Sequence, residues 1–438
     1  MKRSLLSYCL CLFCLAVSLP LQAEVQIGKG KDVPNRIRPE IGVLSADWAG
    51  QIPPSGRVNA PEFLNSIYPG QKIALVLMAE GPDRDKMLNG IKIHVRFVSS
   101  KTGVAELRDL NPVAIRQIKA EGADVALLVL MAGGIAKKDL TEMEKNTSFV
   151  SFAVFQPDWT APDVGTTGET QITATIAGNQ KAIAIEPLKI TVRPTTDWLK
   201  ELPPGREELS KDSNRYHEYM PPGRLLARLG AMAKSGNLKI DSIVTYFAIA
   251  YRENVAARNA AIALFPVLDQ DTKNALAFVL RLGGQDVGKL LPTVAPDTIA
   301  SFNSVEPLGD PRVQLHFQDP VSPEQVRNIG VIMDRCWAGW MATGDQAYLK
   351  PLVGLLDGAA DYPILQAWIK SRGGVKGLNA QVARGLAYQI AGWSIGSFER
   401  TDPHVSDWLL FWEKDSTFSP TVRKEIGTIA GNPAFRRN

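Results

Sequence analysis

Apolar positions along this chain change their spacing once, shortly after residue 220. Upstream they alternate. Ile91, Ile93, Val95 and Phe97 are separated by Lys92, His94 and Arg96, the period-2 pattern of a strand with one wet face. Further strands are predicted over 73–79, launched by the Pro69-Gly70 turn, over 125–131 and 149–155, at Ile172, Ala174 and Ile176 between threonines, and at Ile183, Ile185, Ile190 and Val192. About seven strands with turn signals between them predict an antiparallel β-sandwich of immunoglobulin-like architecture. One helix is expected inside this region. Asn111-Pro112 reads as an N-cap followed by a first helical position, opening a helix to about residue 121.

Downstream the period is helical. Ile329, Ile332, Met333, Cys336, Trp337, Trp340 and Met341 recur at three- and four-residue steps and place a wide apolar stripe on one helix. Gly344 is placed to take the left-handed C′ conformation, and Asp345 to cap the next helix. The result is a helix–turn–helix hairpin. Ser322-Pro323-Glu324-Gln325 carries a capping-box pattern with proline in the first turn, and Asp402-Pro403 and Ser419-Pro420 repeat the cap-then-proline device. Gly236, Gly283-Gly284, Gly344, Gly373-Gly374 and Gly431 mark stops. Helix pairs joined by short glycine-bearing turns predict an all-α, irregular helical-repeat region resembling an α-solenoid. Residues 292–320, rich in proline, read as a long surface loop interrupting it.

The chain is therefore expected to be multidomain. Residues 1–23 have the charged start, short apolar run and small-residue end of a signal peptide. Residues 24–66 read as an N-terminal arm with short strands, 67–196 as the β-sandwich, 197–223 as a linker bracketed by Pro203-Pro204-Gly205 and Pro221-Pro222-Gly223, and 224–438 as the helical region. Export places the protein in the periplasm. Cys9, Cys11 and Cys14 leave with the leader, so Cys336 remains alone and no internal disulfide forms. The formal net charge is +4, and Lys2 and Arg3 are also lost with the leader. No field of that size draws nucleic acid or an anionic surface.

Trp337, then Ala342-Thr343-Gly344-Asp345, then Tyr348-Leu349 resembles the hairpin of a group of uncharacterised exported bacterial proteins. Their C-terminal helical region carries a Trp-x(n)-Ala-Thr-Gly-Asp-x-x-Tyr-Val/Leu pattern. The resemblance implies a helical fold and carries over no catalytic residue. Pro351 departs from the smooth helix expected after the turn, because it removes a backbone donor, so a kink or late helix start is expected there.

Candidate chemistry is sparse. Gly392-Trp393-Ser394-Ile395-Gly396 matches the spacing of a nucleophile elbow, but that motif needs a preceding strand. Here Val382, Leu386, Ile390 and Trp393 run into it at helical spacing, which favours small residues in a packed helix. Asp402 and His404 follow too closely to come from separate elements, and Asp402 reads as a cap. Cys336 lies on an apolar stripe, where cysteine behaves as a small hydrophobe. The four histidines (His94, His217, His316, His404) lack zinc spacing, Gly28-Lys29-Gly30-Lys31 lacks P-loop spacing, and no calcium-loop pattern occurs. No cofactor or metal is expected. Trp159, in a proline-rich loop with Asp158 and Asp163, is a candidate sugar or calcium contact against the simpler reading of a solvated connection. Trp337, Trp340, Trp408 and Trp412 are candidate binding anchors, set against their equally regular fit to an inward core stripe. The expected function is a non-catalytic scaffold or adaptor binding a protein or peptide partner in the bacterial envelope. An envelope hydrolase with an interdomain site, or a carbohydrate- or small-ligand-binding protein, stands as the alternative.

Overall fold

The computed structural model of the chain describes residues 36–46, 53, 57–58, 63–64, 66–67, 69–81, 83–100, 102–103, 105–118, 150–158, 168–177, 183–194, 222–236, 238, 241–302, 305–313, 315–371 and 377–431. The expected leader, residues 197–221 of the expected linker, the strand expected over 125–131, His217 and Trp159 lie outside them. Two β-sheets occupy the N-terminal region and helices the C-terminal region, each with its own apolar core.

One sheet runs β1 (Arg36–Ser45), β4 (Ile73–Glu80), β8 (Val150–Phe155), β7 (Ala114–Ile118) and β2 (Arg57–Val58) in spatial order. The other runs β3 (Ser66–Ile67), β11 (Leu188–Val192), β9 (Gly168–Ala177), β5 (Lys92–Ser99) and β6 (Ala105–Leu110), with β10 (Ile183–Ala184) added on β9. Pairing is antiparallel except between β2 and β7 and between β3 and β11. Alternation has the effect expected of it. Ile93, Val95 and Phe97 of β5 join Leu75 and Leu77 of β4, Ile172 and Ile176 of β9, and Ile190 of β11 in one apolar cluster drawn from both sheets. The intervening His94 stays exposed and hydrogen-bonds Asp109, whose carboxyl this contact holds below its ordinary range.

The first sheet is apolar on both faces, and the reason lies upstream. β1, in the segment read as an arm, is a ten-residue strand paired with β4 along most of its length. Phe63 then folds over the outer face against Leu44, Ala74, Val76 and Val154, with Leu64 N–H donating to Val43 O at 2.8 Å. A Cβ at Gly42 would lie 2.3 Å from the Phe63 ring, so only glycine admits this lid.

The helix expected after Asn111-Pro112 is absent: Ala114–Ile118 is strand β7, paired with β8 from Ala114↔Val154 to Gln117↔Ser151. The local helix-start signal is weaker than a ladder of backbone bonds to a strand already buried. A short helix, α1 (Arg84–Leu88), follows β4 instead. Its Arg84 Nε donates to Ser151 Oγ at 2.9 Å, and Ser151 Oγ donates to Asp85. Ser151 is fully buried, so Ser151→Ala removes two charge-assisted bonds while leaving almost no cavity. A loss of about 1–3 kcal/mol is expected, measured as a fall in the urea midpoint of the β region; an unchanged midpoint would show that the bonds contribute nothing.

β6 pairs only with β5 among the described residues. Glu106 and Arg108 stand opposite Phe97 and Val95, on the core side of the sheet, and pair with each other at 2.9 Å.

The helices are α2 (Pro222–Lys234), α3 (Asp241–Glu253), α4 (Val255–Leu264), α5 (Gln270–Leu282), α6 (Pro296–Phe302), α7 (Pro323–Thr343), α8 (Lys350–Gly354), α9 (Tyr362–Lys370), α10 (Ala380–Thr401), α11 (Pro403–Trp412) and α12 (Pro420–Gly431). Their punctuation follows the sequence closely. Ser322 and Gln325 make the full capping box, Asp402 caps α11 through His404 N–H at 2.9 Å, and Gly344 ends α7 at φ 63°. Asp345 accepts from Ala347 N–H at 2.9 Å. The second arm of the hairpin differs from expectation. Instead of one helix it is a 3-10 turn at Gln346–Tyr348, the five-residue α8 with Pro351 in its first turn, and a 3-10 run at Leu355–Asp361. Pro351 delays the helix start. Gly358 then lets this run approach α10, since a Cβ there would meet Arg384 O at 2.5 Å. The expected 292–320 loop contains α6, and buried Phe317, with Val321 just after it, holds its end against the helical core. No helix among the described residues is long and apolar enough to cross a membrane.

Candidate functional site

Four of the five tryptophan candidates are placed, and all four lie in the helical core. Trp337 and Trp340 face inward from α7, 4% and 0% exposed, and Trp408 and Trp412 face inward from α11. Trp340 Nε1 donates to buried Asp402 Oδ2 at 2.8 Å, so Asp402 ties two helices while it caps a third element. The Trp337 ring stacks on Phe398 with centroids 3.9 Å apart, and its Nε1 donates to Ser394 Oγ at 3.3 Å. Trp408 and Trp412, one turn apart, bring their centroids to 5.1 Å. The apolar stripe of α10 is not the one read from sequence. Ala383, Ala387, Ala391 and Ile395 are buried, while Trp393 turns out into solvent at 67% exposure. Sequence reasoning put Trp393 on the packed stripe and so missed the most exposed of the described tryptophans. Exposed Gln389 and Arg400, four before and seven after it, were the available signal.

Neither nucleophile candidate is poised for chemistry. Ser394 sits in mid-helix, its hydroxyl donating to Ala391 O at 3.1 Å and accepting from Trp337. Cys336 is fully buried, with Sγ donating to Pro311 O at 3.1 Å. Burial, helped by Asp310, pushes its thiol up to about 12. At pH 8 only roughly one such thiol in ten thousand is ionised. In the chain from residue 24 on, Cys336 should therefore resist a thiol reagent at pH 8 until denaturant is added, then react stoichiometrically. Reaction of the native protein at the rate of free cysteine would contradict the packing described.

A polar network lies close to that thiol, around Tyr348. α3 supplies Arg252 and Glu253 at its C-terminal end, the 305–313 segment supplies Asp310 and Arg312, and the turn after α7 supplies Asp345 and Tyr348. Tyr348 is fully buried; its hydroxyl donates to Glu253 Oε1 at 3.1 Å and accepts from Arg252 Nη2 at 3.2 Å. Burial first, and Glu253 second, hold this phenol well above its ordinary value. Arg312 lies over the Tyr348 ring at 5.0 Å from the centroid, and its Nε donates to Asp310 Oδ1 at 2.8 Å. Glu253 and Asp345 stand 3.6 and 3.8 Å from its outer nitrogens. The Asp310 contact keeps the guanidinium protonated beyond its already high ordinary value. Three carboxylates thus enclose two arginines. Sequence reasoning missed this network because Glu253 and Tyr348 are 95 positions apart.

No protein-family model, curated protein or solved structure matches the chain.

Arg312 also forms part of the wall of a cleft of about 510 Å³, completed by Lys350, Pro351, Asp357, Phe418 and Val422 among others. That volume is in the range of small-molecule sites. At the far side Ser419 Oγ donates to Asp357 at 2.6 Å and accepts from Val422 N–H at 3.2 Å, as the N-cap of α12. Its hydroxyl is committed twice. Among the described residues no three His, Cys, Asp or Glu side chains are grouped to hold a metal ion. The arrangement fixes α3, the 305–313 segment and the turn after α7 to one another.

Proposed function

We propose that this chain is an exported, non-catalytic scaffold or adaptor of the bacterial envelope whose helical region binds a protein or peptide partner. In this reading the leader directs it to the periplasm. The two sheets form an immunoglobulin-like sandwich, and the helices form an irregular α-solenoid-like array with an extended face for docking.

The observation that carries the reading is Trp393. A tryptophan two-thirds exposed on a 22-residue helix, beside neighbours that bury theirs, is the residue type most enriched among interface hot spots. It stands on a rigid element, which lowers the ordering cost of binding. The commitment of Cys336 and Ser394 to helix packing supports the non-catalytic half of the reading.

The experiment compares the mature chain and its Trp393→Ala variant as baits in the envelope fraction. Because Trp393 is exposed, the variant should keep its stability to within about 0.5 kcal/mol. One protein retained at stoichiometric yield by the native bait, and retained about tenfold less by the variant, is the expected result. Equal retention by both baits would move the interface elsewhere, and no retention by either would sink the adaptor reading.

A further inference from the structure

We draw no further inference here: the strongest candidate, the cleft between the 347–357 segment and the start of the 420–431 helix, belongs to the site already described, and Arg312 on its wall is already balanced by Asp310, Glu253 and Asp345, so its charge selects no class of ligand.

Discussion

Trp340→Ala should destabilise the helical region by about 3–5 kcal/mol, the cost of emptying a fully buried indole site. Two effects add. The cavity opens at the centre of the helical core, where Trp340 has no exposed surface, and Asp402 loses the indole donor at 2.8 Å while remaining 4% exposed. Trp340→Phe separates them in large part, because it keeps most of the apolar volume and removes the donor with only a small remaining cavity. That variant should lose about 1–3 kcal/mol. Denaturant unfolding followed by far-ultraviolet circular dichroism reads both values. If the alanine variant lost less than about 1 kcal/mol, the indole would be no part of the core. The contrast with Trp393→Ala is the sharper test of the placement, since one residue type on two packed helices is expected to give a large effect and almost none.

Gly339→Ala should also be strongly destabilising, although helix propensity alone argues the reverse. In a mid-helix position alanine is favoured over glycine by about 1 kcal/mol. Here a Cβ would lie 2.2 Å from the Tyr348 ring, far inside van der Waals contact. The ring is fully buried, hydrogen-bonded to Glu253 and Arg252 at its hydroxyl and covered by Arg312, so it has no easy direction of retreat. Overpacking of this kind costs about 1–3 kcal/mol or more, and any shift of the ring also pulls on the network that fixes the 305–313 segment. The double-mutant cycle decides the cause. Tyr348→Ala should be destabilising by itself, but adding Gly339→Ala to it should cost nothing and should recover part of the propensity gain. If the two changes were additive, the clash would not be the reason for glycine at 339.

How much of this was legible in the sequence depended on how local the determinant was. The β5 alternation, the capping box at Ser322, the Asp402 cap and the left-handed Gly344 were readable because each is decided within a few residues. β7 was misread for the complementary reason. Asn111-Pro112 is a sound local signal for a helix start, but the competing strand is specified by Ser151 to Val154, more than thirty residues downstream. The broken second arm of the hairpin was half legible: Pro351 announced a late start, whereas the close approach of Gly358 to α10 depends on tertiary packing. Around the candidate site, Tyr348 was visible as part of a pattern, but its partners come from two distant segments, the end of α3 and residues 305–313. The tryptophans taught a further point. Inward and outward stripes on a crowded helix have the same period, so spacing could name the candidates without saying that Trp393, and not Trp340 or Trp408, meets solvent.

Glu106 and Arg108 weigh against one mode of self-association, the pairing of β6 with β6 of a second copy. Among the described residues β6 pairs only with β5, and a strand margin left open is a template for like strands. Joining two copies there would trap a charged pair on the inward side of a doubled sheet, away from the water that now solvates it. Crowded copies therefore gain little by stacking margin to margin. Among the described residues, two charged side chains thus make the β6 margin a poor template for stacking copies.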